Sequence, residues 1–213
     1  MAISFSGSSQ SYYSASTPVT AVPLTIACRM NKASAATNGF LAGIMRNLGS
    51  TWYGFYIFAN SSGIVTASVA NNNVFAQAES TTSYSGNTWH HVCGVFSSNT
   101  SRTIYLDGAS SATNTTSLTP TLIDIVTLAA ARKSGFVDNY LYGSLAEVAI
   151  WNAALTEPEV KSLSAGMSPK LVRPQSLVLY VPLIRSPQDQ KAALAFTTEG
   201  SPTAATHPRV YLQ

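Results

Sequence analysis

The chain has 213 residues, of which 46% are hydrophobic and only 10% charged, with a net charge of +3. That length suits one large domain that buries roughly 70% of its unfolded surface, so a core needs neither metals nor many disulfides. So small and dispersed a charge argues against nucleic acid as a partner, and no apolar run approaches the ~20 residues that membrane insertion requires.

Met1–Gly7 has neither the basic nor the apolar region of a signal peptide and reads as a first strand, Ile3-Ser4-Phe5. A chain whose first strand starts this way suggests a trimmed chain or a protein released by lysis, as phage virion proteins are. Tyr12-Tyr13 follows a turn at Gly7. Leu24–Met30 alternates between Pro23 and Asn31 and is a strand. Phe40–Met45 is another, after a polar loop from Lys32 to Asn38. Trp52–Phe58 is apolar on both faces, as in a central strand covered on both sides. Ile64–Val69 and Val74–Ala78 flank Asn71-Asn72-Asn73 as a hairpin.

In Trp89–Phe96, alternation puts Trp89, His91, Cys93 and Val95 on one face and His90, Val92 and Phe96 on the other. Thr103–Leu106 returns after a polar loop, and Asp107-Gly108 supplies the positive φ of a tight turn. Leu122–Ala131 and Leu141–Trp151 are further strands. Thr156-Glu157-Pro158-Glu159 is a capping box that opens one short helix, Glu157–Ala165, closed by Gly166. Leu177–Leu183 is a last strand, and Ser201-Pro202 and His207-Pro208 mark 188–213 as an extended tail.

The stretch Asn87–Gly108, NTWHHVCGVFSSNTSRTIYLDG, resembles the W-H-H-V … Y-x-D-G signature of laminin-G-like and pentraxin-like domains. Leu141–Trp151 is similar to the family's G-x-I-D-E-V-x-I-W strand, and Ala153-Ala154-Leu155 to its x-A-L-s-x-x-E-V passage. The resemblance covers about residues 1–166. It implies an all-β, two-sheet antiparallel jelly-roll sandwich of the concanavalin A-like lectin/glucanase type over 1–187, followed by the tail.

The resemblance also implies that Cys28 and Cys93 sit on adjacent strands within bonding distance, as a sheet-stapling disulfide or as two buried free thiols. It raises calcium as a cofactor, which takes six to eight oxygen ligands. At the loop where pentraxins supply them this chain reads Leu128-Ala129-Ala130-Ala131-Arg132-Lys133, and Asp138-Asn139 is only one pair. No metal and no other cofactor is expected. Glucanases of this fold carry Glu-x-Asp-x-(x)-Glu on one strand, and none of the nine carboxylates falls in such a triplet. His90-His91 has no carboxylate at a triad or metal spacing, so no catalytic residue is assigned.

Aromatic and basic side chains near loops remain as binding candidates: Tyr12, Trp52, Tyr140, Tyr142, Arg132 and Lys133. Trp89, Trp151, Phe55 and Phe58 are read as core. The first functional reading is a non-catalytic module acting by surface contact, a phage virion accessory or decoration protein. It would bind capsid or other virion proteins as a homo-oligomer, with the tail as an inter-subunit arm. The alternative is a secreted or cell-surface lectin-like module that binds cell-surface glycans. A glycoside hydrolase is the remote third.

Overall fold

The computed structural model describes residues 1–133 and 136–211. In chain order the strands are β1 (Ala2–Ser6), β2 (Ser11–Ser14), β3 (Leu24–Lys32), β4 (Gly39–Met45), β5 (Gly54–Ala59) and β6 (Val65–Asn71). They continue with β7 (Val74–Glu79), β8 (Trp89–Ser98), β9 (Ser101–Leu106), β10 (Ser110–Asn114), β11 (Ile125–Leu128) and β12 (Ala131–Lys133). After β13 (Phe136–Asp138) and β14 (Tyr142–Trp151) comes the helix α1 (Glu157–Ser164), then β15 (Leu177–Val181), β16 (Thr197–Glu199) and β17 (Thr203–Ala205).

Two antiparallel sheets stack into a sandwich. The first runs β10-β9-β8-β3-β14-β1-β17, with β15 also pairing β14; the second runs β16-β2-β11-β4-β5-β6-β7. A short β12-β13 hairpin stands apart. Alternation fills the space between the sheets. Ile26, Cys28 and Met30 on β3 meet Phe55 and Ile57 on β5 and Val65, Ala67 and Val69 on β6 in one core. A second apolar layer lies outside the first sheet, where Trp151, Ala149 and Cys93 pack beneath Val160 and Leu163 of α1.

Local chemistry accounts for the turns. Asn72 and Asn73, at φ 51° and 60°, join β6 to β7, and Asp107-Gly108, at 53° and 72°, joins β9 to β10. Glu159 accepts from the Thr156 N–H at 2.7 Å and opens α1, as the capping box predicts. At its other end Arg29 donates to the Leu163 and Ser164 carbonyls at 2.7 and 2.9 Å. A cation there also complements the helix dipole.

Four expectations change. Trp52 and Tyr53 precede β5 rather than belonging to it. Leu122–Ala131 is not one strand: Ala129 at φ 64° separates β11 from β12. The tail is no free arm, because β16 pairs β2 and β17 pairs β1, adding a strand to each sheet of its own sandwich.

The fourth concerns the cysteines. In the β3–β8 register Ala27 stands opposite Cys93, and Cys28 opposite Val92. An offset of one residue sends the two side chains to opposite faces, Cys28 into the inter-sheet core and Cys93 under α1. Both are buried free thiols, and burial pushes the pKa of each up. Thiol titration of the denatured, never-reduced protein should therefore find both cysteines reactive, and reducing agent should leave its melting temperature unchanged. Loss of titratable thiol with no intermolecular product would restore the staple.

Candidate functional site

Strand parity makes the outer face of the seven-stranded sheet aromatic. On β5, Phe55 and Ile57 point into the core while Tyr56 and Phe58 point out. The register carries that outward face across Phe40 and Gly43 on β4, Thr66 and Ser68 on β6, and Phe75, Gln77 and Glu79 on β7. A Cβ at Gly43 would lie 2.5 Å from the Cβ of Tyr56 and 2.8 Å from the Phe40 ring. Without it the two rings stack over the sheet, centroids 5.4 Å apart.

Trp52 joins them from the loop before β5. Its N–H donates to Asn73 Oδ1 at 2.8 Å, and the Asn73 N–H donates back to the Trp52 carbonyl at 3.3 Å. The β6–β7 turn thus fixes the indole 5.2 Å from the Tyr56 ring and 6.1 Å from that of Phe75. Trp52, Tyr56, Phe58, Phe75, Gln77 and Asn139 line an open trough of about 200 Å³. Gln77 Nε2 donates to Ser68 Oγ at 3.0 Å, leaving its amide oxygen without a partner among the described residues. Rings beside amides suit a ligand with one apolar face and a rim of hydroxyls.

The β12–β13 hairpin roofs the rest of this face. Arg132 lies over the Tyr13 ring at 3.8 Å and pairs with Glu199 of β16. Lys133 lies over the Trp52 ring at 4.7 Å and bonds Asp138 at 2.7 Å. This is where the resemblance implies calcium, and the residues do not fit it. Two cations occupy the loop, and Asp138, bonded to Lys133, also accepts from Asn139 Nδ2 at 3.1 Å. Among the described residues no three His, Cys, Asp or Glu side chains converge.

The expected binding residues therefore separate. Trp52 and Lys133 meet at the trough, with Arg132 on the same face. Tyr12 is a correction: it pairs with Leu128, points inward and packs edge-on against Phe5, while its neighbour Tyr13 takes the outward position. Tyr140 is half-buried beside Asn139 and outside the trough's lining. Tyr142 is exposed on the other sheet. Phe58, read as core, lines the trough, and partly buried Trp89 belongs to no core cluster. Phe75, Gln77 and Asn139 were missed, although alternation along Val74–Glu79 puts Phe75 and Gln77 on one face.

A laminin-G family model, described as the concanavalin A-like lectin/glucanases superfamily, matches residues 6–161, and the chain belongs to that family. Among solved structures, it is similar to a native heptameric SAP-like pentraxin from Limulus polyphemus. Identity is 16% and TM-score 0.69, over 99% of this chain and 97% of that one. It is also similar to the CBM40 of the Ruminococcus gnavus IT-sialidase, bound to alpha2,3 sialyllactose. Here identity is 17% and TM-score 0.66, over 76% of this chain and 96% of that one. No curated protein sequence matches.

A polar cluster sits apart from the trough, where the signature strand meets its turn. Asp107 Oδ2 is 2.7 Å from His90 Nδ1, its Oδ1 accepts from the His91 N–H at 2.8 Å, and His90 Nε2 lies 3.1 Å from the Ser85 carbonyl. The hairpin thus brings His90 a carboxylate that linear spacing concealed. The Asp107 bond raises the His90 pKa against the opposing pull of burial. Burial acts to raise that of Asp107, but the hydrogen bonds from His90 and His91 outweigh it and the pKa falls. His91, by contrast, is pushed down to about 3 by burial and the nearby Arg29 charge, and stays neutral.

A raised imidazole pKa adds stability that is complete below the unfolded value of about 6.5 and is lost as pH rises through the folded value. A depressed carboxyl pKa adds stability above about pH 3.9 that is lost on acidification. The pair therefore contributes most between about pH 4 and 6.5. Asp107→Asn should cost more stability near pH 5.5 than near pH 8.5, by up to about 1 kcal/mol, because the half-exposed Asp107 is screened. Equal losses in thermal melts at both pH values would rule the ion pair out.

Proposed function

We propose that this protein is a non-catalytic glycan-binding module that holds a saccharide in the trough between Trp52 and Phe75. The observation that carries the reading is the convergence, on an open sheet face, of aromatic rings and the amide oxygens of Gln77 and Asn139, which have no partner among the described residues. Apolar C–H faces of a sugar pack on such rings, and its hydroxyls bond the amides of Gln77 and Asn139. None of the six lining residues is a carboxylate or an imidazole, which favours binding over hydrolysis. The CBM40 among the similar structures supports a glycan as the kind of ligand, although the sialyllactose bound to it is acidic. The virion reading would make the tail an inter-subunit arm, whereas β16 and β17 of the tail pair with β2 and β1 of the same chain.

The charge in the trough narrows the choice of sugar. Lys133 is buried, lies against Trp52 and is engaged by Asp138, so an acidic sugar would have to displace that carboxylate. Neutral saccharides are the better fit. On a glycan array the protein should bind neutral oligosaccharides, and Trp52→Ala and Phe75→Ala should each weaken binding about tenfold or more. A blank array, or binding that survives both substitutions, would reject the trough as a glycan site.

A further inference from the structure

The outer face of the eight-stranded sheet is divided in two. One end lies under α1, where Arg29 is spent on the helix carbonyls and Trp151 is fully buried. The other end carries no such cover. There the register aligns Thr203 of β17, Ser4 of β1, Ser144 of β14, Asn31 of β3 and Trp89 of β8 in one row. Their neighbours Ile3, Phe5, Leu145 and Met30 point into the core, so parity turns the whole row outward. Five strands at ~4.8 Å spacing make it ~19 Å long.

Tyr142 stands at the margin of this row, about half exposed at 49%, in an open depression of about 290 Å³ that Ser4, Asn31, Asn87 and Ser144 also line. The side-chain hydroxyls, amides and indole N–H of the row, and those of Asn87 and Tyr142, make no hydrogen bond to another described residue. Their donors and acceptors are thus unengaged by the protein among the described residues. The row contains no charged side chain, and the Arg29 guanidinium farther along this face is already engaged.

We propose that this shelf is a second saccharide site, taking an extended neutral glycan along Thr203–Ser4–Ser144–Asn31–Trp89 with Tyr142 beside it. The proposal rests on the reading of the chain as a glycan binder and adds a surface on the opposite side of the sandwich from the trough. Chemistry selects the occupant. A row of neutral hydroxyl and amide groups with one partly exposed ring at its end and another beside it matches a polyhydroxylated chain with apolar ring faces. It offers no ion pair to an acidic polysaccharide or a charged peptide. It also lacks the buried apolar anchors that a stable interface between copies of the chain would need.

Three tryptophans make the two sites separately visible: Trp52 in the trough, Trp89 on the shelf and fully buried Trp151 as an internal control. The full chain carrying 5-fluorotryptophan would be titrated with maltohexaose, cellohexaose, laminarihexaose and mannohexaose and followed by 19F NMR. The Trp89 resonance should move saturably with at least one of them. Tyr142→Ala and Asn31→Ala should each weaken that response about fivefold or more while leaving the Trp52 response unchanged. An unshifted Trp151 resonance certifies that each variant is folded, and Tyr142→Phe and Asn31→Ser serve where it is not.

Movement of Trp52 alone overturns the shelf and keeps the trough; movement of Trp89 alone upholds the shelf and removes the trough. A Trp89 response that persists in both variants overturns the proposal. So does a shift that follows protein concentration instead of saccharide, which would assign the face to a second copy. Stillness of both resonances overturns both sites.

Discussion

Each strand of the two sheets hands alternate residues to the core and to an outer face, and one residue of slip would exchange the two sets. The sandwich depends on keeping that parity through irregular points. β14 is the clearest case: its pairing with β3 shifts between Ala146 and Ala149, and Glu147 takes up the extra residue at φ 55°. Leu145 before the bulge and Val148 after it both reach the core as a result. A non-glycine residue at positive φ costs of order 1 kcal/mol, which the packing of two core positions offsets. The same bulge aims the Glu147 carboxylate outward, where Tyr180 Oη donates to it at 2.6 Å and His207 Nε2 lies 3.0 Å away.

The tail is held by that contact as well as by its strands. Without cover, the outer face around Glu147 and Arg29 would be wet; with it, each polar group there needs a partner. Arg29 finds the end of α1, and Glu147 finds Tyr180 and His207. For Tyr180, burial and the neighbouring carboxylate push the phenol pKa up, so it remains a donor throughout the ordinary pH range. At the rim of the sandwich Lys32 has fewer partners, the Thr37 carbonyl and the Tyr84 ring, and burial draws its pKa down to about 8. A buried ammonium so thinly compensated opposes folding below about pH 8, and that opposition fades as pH rises toward the unfolded value of about 10.4.

Much of the fold was legible in the sequence because alternation and turn chemistry are local. Asp107-Gly108, the Asn71–Asn73 turn and the capping box at Thr156 all act within a few residues. The losses came where parity had to be compared between strands. Whether Cys28 faces Cys93 depends on the β3–β8 register, which neither strand encodes alone. Which of Tyr12 and Tyr13 faces outward depends on the pairing with β11, which turns Tyr13 out and buries Tyr12, the ring that the sequence singles out. The trough was half legible: Trp52, Arg132 and Lys133 stood out as aromatic and basic residues near loops, whereas Phe75, Gln77 and Asn139 acquire meaning only when β7 and the segment after β13 are brought to the Trp52 ring and the outer face of β5. Nothing local in the tail revealed that it would pair with β1 and β2 from the far end of the chain.

The two sheets solve one problem in opposite ways, and the difference bears on ligand choice. A sheet with a hydrophobic outer face must be covered, and the seven-stranded sheet is covered by its own rings and by the β12–β13 hairpin. Both cations of that hairpin are held over rings and paired with carboxylates, so the cover brings the trough little free charge. The eight-stranded sheet is covered at one end by α1, and beyond the helix the outward positions become Ser, Asn and Thr, which need no cover. Both uncovered surfaces are thus neutral, one aromatic and one hydroxylic. Ligands that bring charge would find it unpaired on either side, and desolvating an unpaired charge costs more than a few hydrogen bonds return. Neutral sugars incur no such penalty, and their two kinds of surface, C–H faces and hydroxyl rims, correspond to the two kinds of surface this chain presents.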